Sequence, residues 1–300
     1  MISHVTVLTN PMSGHGNAPH AAERAVARFQ ELGIDVTGIV GRDAAHAREL
    51  VDEALTRETD ALVVVGGDGV IRLALQALAG KDIPLGIVPA GTGNDHAREY
   101  RLPTSDPAAA VDVIAAGHTD TVDLGHIQGA DGTSTWFGTV AATGFDSLVS
   151  DRVNRMSWPH GRMRYNVAMV AEIYQLRPLP FRMVLDGQRE IVTDLTLAAF
   201  GNTRSYGGGM LICPGADHSD GLLDITMVGA SSRTRLIRLF PTVFNGTHVN
   251  LPQVSTARAR TVTVESPGIN AYADGDFACP LPAEISAVSG ALKIIVPEAT

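Results

Sequence analysis

Only two cysteines, Cys213 and Cys279, occur in 300 residues, and no metal-ligand spacing surrounds either. Two cysteines in a chain this long make no disulfide framework, so both read as reduced core residues of a cytoplasmic protein. No apolar run reaches the roughly 18 residues that a membrane helix needs. The opening MISHVTVLTNP lacks the basic flank, apolar core and cleavage site of a signal peptide. If membranes matter to this chain, it visits their surface. Positive charge is short as well. The formal net charge of −9 argues against a general nucleic-acid binder, because such proteins neutralise phosphates with Lys and Arg. A locally basic face stays open. There is no internal repeat and no low-complexity segment.

What is present is a chain able to bury a core, with 45% hydrophobic and 18% charged residues. Its length suits one large domain or two moderate ones. The first third alternates. VTVLT, IDVTGIV, ALVVV and PLGIVPA read as strands. Between them, HAAERAVARFQEL repeats apolar residues at helical spacing (Ala22, Ala25, Val26, Phe29, Leu32), and AHARELVDEALTR and VIRLALQALAG also read as helices. DPAAAVDVIAAG opens with Asp106 as the expected N-cap and Pro107 at the first helical position. Such alternation implies a parallel sheet covered by helices. From about Val122 the pattern becomes strand-like, with Asp186-Gly187 as a hairpin turn. Two helical stretches, RMRYNVAMVAEIYQL and SRTRLIRLFPTVF, interrupt it. The reading is an α/β N-terminal domain, residues 1–124 with the last run 291–300 returning to it, and a mainly antiparallel β-sandwich domain over 125–290.

Three glycine-marked loops follow strands of the first domain: TNPMSGHGN, GGDG and PAGTGND. In open parallel sheets ligands sit at the carboxyl ends of strands. Glycines let backbone N–H groups approach a phosphate, and a following helix N-terminus adds its dipole. Together the loops suit a nucleotide polyphosphate. No Gly-Lys-Ser/Thr follows, so this is not a Walker loop, and no G-x-G-x-x-G opens the first helix. Each loop also has a plain reading. Asp68 could cap the helix from Val70, and Asn94 and Asp95 the helix towards Arg98. Asp-Gly recurs at residues 68, 131, 186, 220 and 274 and usually marks a turn; that reading is kept for Asp131 and Asp186. A cap, however, does not require Gly66 and Gly67 before it.

NPMSG, GGDG, PAGTGND, GNTRSYGGGMLICPGADHSDGLLD and ADGD resemble, in order and spacing, the diacylglycerol kinase catalytic-domain family, which includes bacterial diacylglycerol kinases and sphingosine and ceramide kinases. The resemblance runs from about Val5 to Ile295 and looks closest to the soluble actinobacterial type. GGDG alone is shared with NAD kinases and phosphofructokinases. The resemblance implies that ATP lies in a cleft between an α/β domain and a β-sandwich. Asn10, Pro11, Ser13 and Gly14 would contact it, Gly66, Gly67 and Gly69 would cradle its phosphates, and Thr92 would bind it. Asp68 and Asp95 would hold catalytic magnesium, and Asp274 would be the general base. A second, structural magnesium would be held by Asp220 with carbonyls of Asp217 and Leu222.

Three departures from the family pattern stand out. Val70 replaces a Thr after GGDG; by their place in the motif Val70 and Ile71 are still expected among the ATP contacts, with Gly41, Asp68 and Asp276. Gly41 replaces a Thr that contacts ATP in relatives, and Asp276 replaces a Glu. None removes a carboxylate that the chemistry needs.

The expectation is an ATP- and magnesium-dependent lipid kinase that converts diacylglycerol to phosphatidic acid. Its partner would be a lipid at the inner face of the plasma membrane, met by a cytoplasmic, peripherally bound protein. A homodimer is compatible with it, and nucleic acid is not. Alternatives are a kinase of ceramide, a sphingosine-like base or NAD, and, in another class, a lipid-binding or regulatory protein without catalysis. In DRVNRMSWPHGRMRYNVAM, the residues Arg152, Arg155, Arg162 and Arg164 around Met156, Trp158 and Met163 suit an anionic bilayer. A core stripe at Met163, Val167, Val170 and Tyr174 is the competing reading. Gly207-Gly208-Gly209 could serve close backbone packing or a hinge.

Overall fold

The strand ALVVVG is buried along its whole length, as a strand must be when helices cover both faces of its sheet. The computed structural model describes residues 2–9, 18–156, 158, 167–168, 171–172 and 177–298. They fall into two units, Met1–Leu124 with Ser289–Thr300, and Gly125–Val288.

In the first unit β1 (His4–Thr9), β2 (Asp35–Val40), β3 (Ala61–Gly66) and β4 (Leu85–Pro89) are parallel, in the order β4-β3-β1-β2. The helices between them are α1 (Ala18–Glu31), α2 (Ala44–Ala54), α3 (Asp68–Leu78), α4 (Asp95–Glu99) and α5 (Pro107–Ala116). Ala25 and Phe29 of α1 share one core cluster with Val111 and Ile114 of α5 and with Val5, Val7, Val63, Val65 and Val88. The alternate strand residues Leu8, Leu62 and Val64 are buried too, as are Val51 of α2 and Ile71, Leu75 and Leu78 of α3. The caps follow the sequence. Asp106 accepts the Ala108 N–H at 3.1 Å with Pro107 in the first turn, and α5 stops at Gly117, which has φ of 74°. In the final apolar run Ile294 pairs in parallel with Leu85.

The second unit is antiparallel. It contains the end of β5 (Thr119–Gly129), β6 (Ser134–Phe137), β7 (Val140–Gly144), α6 (Phe145–Arg155), β8 (Leu179–Leu185), β9 (Arg189–Gly201), β10 (Leu223–Gly229), α7 (Arg233–Val243), β11 (Val254–Ala259), β12 (Thr261–Glu265), β13 (Asn270–Ala273), β14 (Asp276–Pro280) and the start of β15 (Ala283–Ile295). Neighbours run β14-β13-β7-β9-β8-β12-β15, and β10 lies between β9 and β11. In β8, Leu179, Phe181, Met183 and Leu185 face the core while Pro180 and Arg182 face out, the period-two pattern of a half-buried strand. The second half of β9 is buried on both sides. Ala198 and Phe200 enter one cluster with Phe181, Ile225 and Val262, and Leu197 and Ala199 enter another with Val149 of α6 and Leu236 and Leu239 of α7.

The expected hairpin turn is present: Leu185 pairs with Arg189, and Asp186 and Gly187 have φ of 50° and 66°. The Asp186 carboxylate does more than turn the chain, because Oδ1 also accepts the N–H groups of Arg260 and Thr261, each at 2.9 Å. Gly207, Gly208 and Gly209 all have positive φ, in a turn closed by mutual backbone bonds between Tyr206 and Met210. Of the competing core stripe, Val167 is 43% exposed; Met163, Val170 and Tyr174 lie outside the described residues.

Candidate active site

The GGDG and GTGND loops meet backbone to backbone. A Cβ on Gly91 would fall 2.4 Å from the Gly67 Cα, and one on Gly67 would fall 3.0 Å from the Gly91 Cα. No side chain fits at Gly91, and one at Gly67 would crowd the Gly91 backbone, which gives the second glycine after β3 a packing reason. Asn94, with φ of 53°, tightens the loop by accepting the Gly91 N–H at 3.0 Å through Oδ1. The side chain is a loop staple and not a cap; Asn94 is the N-cap of α4 through its backbone alone, its carbonyl accepting the Arg98 N–H at 3.0 Å.

The Asp68 side chain is not a cap either. The N-cap of α3 is Gly67, without a side-chain bond. The Oδ1 of Asp68 accepts instead from His96, from the backbone N–H at 3.3 Å and from Nδ1 at 3.0 Å. Burial alone would raise the Asp68 carboxyl. The hydrogen bond and positive charge of the His96 ring and the N–H groups of His96 and Asp95 outweigh it, and the group sits at about 2. It is therefore ionised at any ordinary pH. Asp95 is buried, with Oδ1 taken by Arg98 at 2.7 Å.

The other oxygens of the two carboxylates converge above Gly93. A Cβ there would sit 2.7 Å from Asp68 Oδ2 and 3.5 Å from Asp95 Oδ2. Two carboxylate oxygens facing one small space, each anchored from behind, suit magnesium, which takes one or two carboxylates plus phosphate and water.

The remaining expected contacts divide. Val70 and Ile71 are buried in the core, and their backbone N–H groups donate to the Gly67 carbonyl at 3.1 and 3.3 Å, so neither residue presents a donor to a phosphate. A side chain at Gly41 would overlap Ala47, whose Cβ lies 2.4 Å from the Cβ position. The family's Thr has no room there as the loop is built. Gly69 and Thr92 are exposed. Asn10, Pro11, Ser13 and Gly14 lie outside the described residues.

In the second unit Asp274 and Gly275 form a two-residue hairpin turn between β13 and β14, with φ of 50° and 84°, the type I′ geometry that Asp-Gly favours. The turn aims the Asp274 carboxylate at the β6–β7 connection. Oδ2 accepts the Gly138 N–H at 2.8 Å; Oδ1 accepts the Thr139 N–H at 2.8 Å and the Thr139 hydroxyl at 2.6 Å. Asp276 is exposed at the start of β14.

The expected second magnesium site is not supported. Asp220 and Asp224 are both paired with Arg258, whose Nε lies 2.9 Å from Asp224. Asp217 turns on itself, accepting the Ser219 N–H at 3.0 Å and the Ser219 hydroxyl at 2.6 Å, and the Leu222 N–H donates to Asp220 at 3.0 Å. A guanidinium already supplies the positive charge there. Among the described residues no group of three or more His, Cys, Asp or Glu side chains is arranged to hold a metal ion.

Sequence reasoning missed His96, Gly93, Gly138 and Thr139. His96 adjoins Asp95 in the quoted motif, yet nothing local says that its ring turns back to Asp68. Thr139 is 135 positions from Asp274, and only the strand pairing of β13 with β7 brings them together.

The chain thus joins an α/β unit with paired carboxylates at glycine loops to an antiparallel unit that follows it in the sequence. Residues 4–127 match the diacylglycerol kinase catalytic domain, and residues 139–296 match the YegS C-terminal NAD kinase beta sandwich-like domain. A diacylglycerol kinase of Mycobacterium tuberculosis is 68% identical over 296 residues, covering 99% of this chain and 96% of the relative. A Bacillus subtilis diacylglycerol kinase is 26% identical, covering 97% and 96%. In fold, a Bacillus anthracis diacylglycerol kinase structure superposes with TM-score 0.74 at 18% identity, covering 99% of this chain and 98% of that one. Yeast NADH kinase does so with TM-score 0.57 at 13% identity, covering 100% and 85%. The chain belongs to the diacylglycerol kinase family and is a kinase.

Proposed function

We propose that this kinase transfers the γ-phosphate of ATP to the free hydroxyl of diacylglycerol, giving phosphatidic acid for phospholipid metabolism. The observation that carries the reading is the convergence of Asp68 and Asp95 above Gly93, backed by a relative 68% identical that is named a diacylglycerol kinase. Magnesium held by these two carboxylates would neutralise the phosphate charge that phosphoryl transfer concentrates. The chain itself does the positioning. Gly67 and Gly91 bring two loops into contact, and the exposed Gly69 and Thr92 offer backbone and hydroxyl donors to the phosphates. Asp274 takes the proton of the acceptor alcohol. Its Oδ2 accepts one hydrogen bond within the protein, so a lone pair remains for that hydroxyl. A positioned base contributes about 10²- to 10⁴-fold.

A cavity of about 350 Å³ in the second unit is lined by Leu148 and Met156 among the charged Asp151, Arg152, Arg155 and Glu172. Such a mostly polar lining would suit the head of a lipid and not its acyl chains. The protein would meet this lipid at the inner face of the plasma membrane, from the cytoplasm. No helix among the described residues is long and apolar enough to cross a bilayer. Of the segment expected to dock, Arg155 is exposed and Trp158 is 75% exposed, whereas Arg152 is tied to Glu172 at 2.5 Å. Arg162, Arg164 and Met163 lie outside the described residues.

The test is labelled ATP with purified protein, magnesium and a panel of diacylglycerol, ceramide, a sphingosine-like base and NAD. Labelled phosphatidic acid is the expected product. Faster labelling of another alcohol would reassign the acceptor. Tight lipid binding with no turnover on any alcohol would make the protein a lipid-binding or regulatory one.

A further inference from the structure

We infer that α7 and the residues just after it form a docking surface for an anionic lipid bilayer. The helix packs through Leu236, Leu239 and Val243, all buried in the core cluster that includes Val149, Leu197 and Val228. That row accounts for its place in the fold. A second apolar row is left outside: Ile237 is 55% exposed, Phe240 37% and Phe244 49%. Their spacing of three and then four positions lines them up on one side of the helix, and the two phenylalanine rings meet edge to face at 5.6 Å. Single exposed apolar side chains need no explanation, but a contiguous row of large ones does.

Charge says what covers it. Arg233 lies four positions before Ile237, on the same side. Arg233, Arg235 and Arg238 are all exposed. Between Asp224 and Glu265 the chain contains no aspartate or glutamate, although its formal net charge is −9. The apolar row thus shares its helix with three exposed arginines and no acidic residue. A second copy of the chain fits poorly, because a two-fold contact would set these arginines against themselves with no carboxylate from the same stretch to pair them. A bilayer bearing phosphatidylglycerol fits both features: Ile237, Phe240 and Phe244 enter the acyl boundary while the arginines meet lipid phosphates. The inference extends the reading that the acceptor is a membrane lipid, but its readout does not use catalysis.

The experiment is co-sedimentation with vesicles of equal parts phosphatidylcholine and phosphatidylglycerol, alongside kinase assays on diacylglycerol in detergent micelles. Wild-type protein should bind these vesicles, bind pure phosphatidylcholine vesicles less, and lose affinity as salt rises. The Ile237→Ser, Phe240→Ser, Phe244→Ser triple variant should bind about 10-fold or more weakly. Arg233→Glu with Arg238→Glu should do the same without touching the apolar row. Both should keep the wild-type melting temperature and micellar rate. Vesicle binding unchanged in both variants overturns the inference, as does a wild-type dimer that the triple variant converts to monomer with vesicle binding intact. If vesicle binding behaves as stated and no lipid alcohol is phosphorylated in micelles, the docking surface stands and the proposed reaction falls.

Discussion

The Thr139 hydroxyl donates to Asp274 Oδ1 across 2.6 Å, and the backbone N–H of the same threonine donates to the same oxygen across 2.8 Å. One residue thereby fixes one edge of the carboxylate, while the Gly138 N–H holds the other at 2.8 Å. Thr139 is buried, so valine fills the same space without the hydroxyl. A hydrogen bond to a charged group contributes about 1.5–3 kcal/mol. We expect Thr139→Val to keep its fold and its KM for ATP while kcat falls about 10-fold or more, and Thr139→Ser to recover most of the loss. Equal changes in kcat and in ATP affinity would show that Thr139 is merely structural.

Asp274→Asn is the more direct test of the base. It should bind ATP in a calorimeter as the wild type does and lose about 10²- to 10⁴-fold in turnover. Asparagine presents an NH2 group to an environment of donors, Gly138 N–H and Thr139, so a melting curve must accompany the rate. Wild-type turnover in a folded Asp274→Asn protein removes Asp274 from the mechanism.

Three glycines of the GGDG and GTGND loops should respond in three different ways to alanine. At Gly69 an added Cβ meets nothing within 4 Å, and Gly69→Ala should fold and melt like the wild type. At Gly93 the methyl would press on Asp68 Oδ2 at 2.7 Å. That variant should fold and lose magnesium-dependent activity. At Gly91 it would meet Gly67 backbone at 2.4 Å, which neither loop can yield cheaply; a loss of about 1–3 kcal/mol of stability is expected. Circular dichroism melts and initial rates across the three would separate the roles, and an identical response at all of them would refute the packing described.

How far the sequence reached follows from the range of each interaction. The α/β class was legible because β3 and β4 are short apolar runs between amphipathic helices, a pattern written within neighbouring residues. Asp106 and Pro107 announced their helix for the same reason. The plain cap reading of Asp68 failed because its true partner, His96, is 28 positions away. The second ion failed because Arg258, 38 positions from Asp220, carries no motif of its own. Val70 and Ile71 read as nucleotide contacts by their place in the motif, while their side chains belong to the core.

Asp68 also gives the apo protein a particular acid sensitivity. Its folded value of about 2 lies below the ordinary 3.8, so the native state binds the proton less readily than the unfolded chain. The stabilisation is complete above about pH 4 and disappears as pH falls through 2. The side chain is 21% exposed, and the shift corresponds to about 2 kcal/mol. Urea unfolding in EDTA should show Asp68→Asn less stable than wild type by that order at pH 7, with the gap closing between pH 4 and pH 2. A gap that persists unchanged to pH 2 would mean that the His96 contact is not what holds the proton off.

Arg258 leads to the last expectation. Its guanidinium bridges Asp220 and Asp224, and burial, followed by the nearby charge of Asp217, already pushes the Asp224 carboxyl up. Removing the guanidinium that pairs with both carboxylates leaves their negative charges uncompensated by it. Arg258→Gln should therefore lose about 1–3 kcal/mol in chemical denaturation. Because the wild-type loop carries its own positive charge, EDTA should leave the wild-type melting temperature where it is. The variant should behave differently: added magnesium should raise its melting temperature, since a divalent cation can replace the missing charge between the carboxylates. A wild-type protein that melts earlier in EDTA and retains a bound metal on elemental analysis after Asp68→Ala would restore the second ion and displace Arg258 from this role.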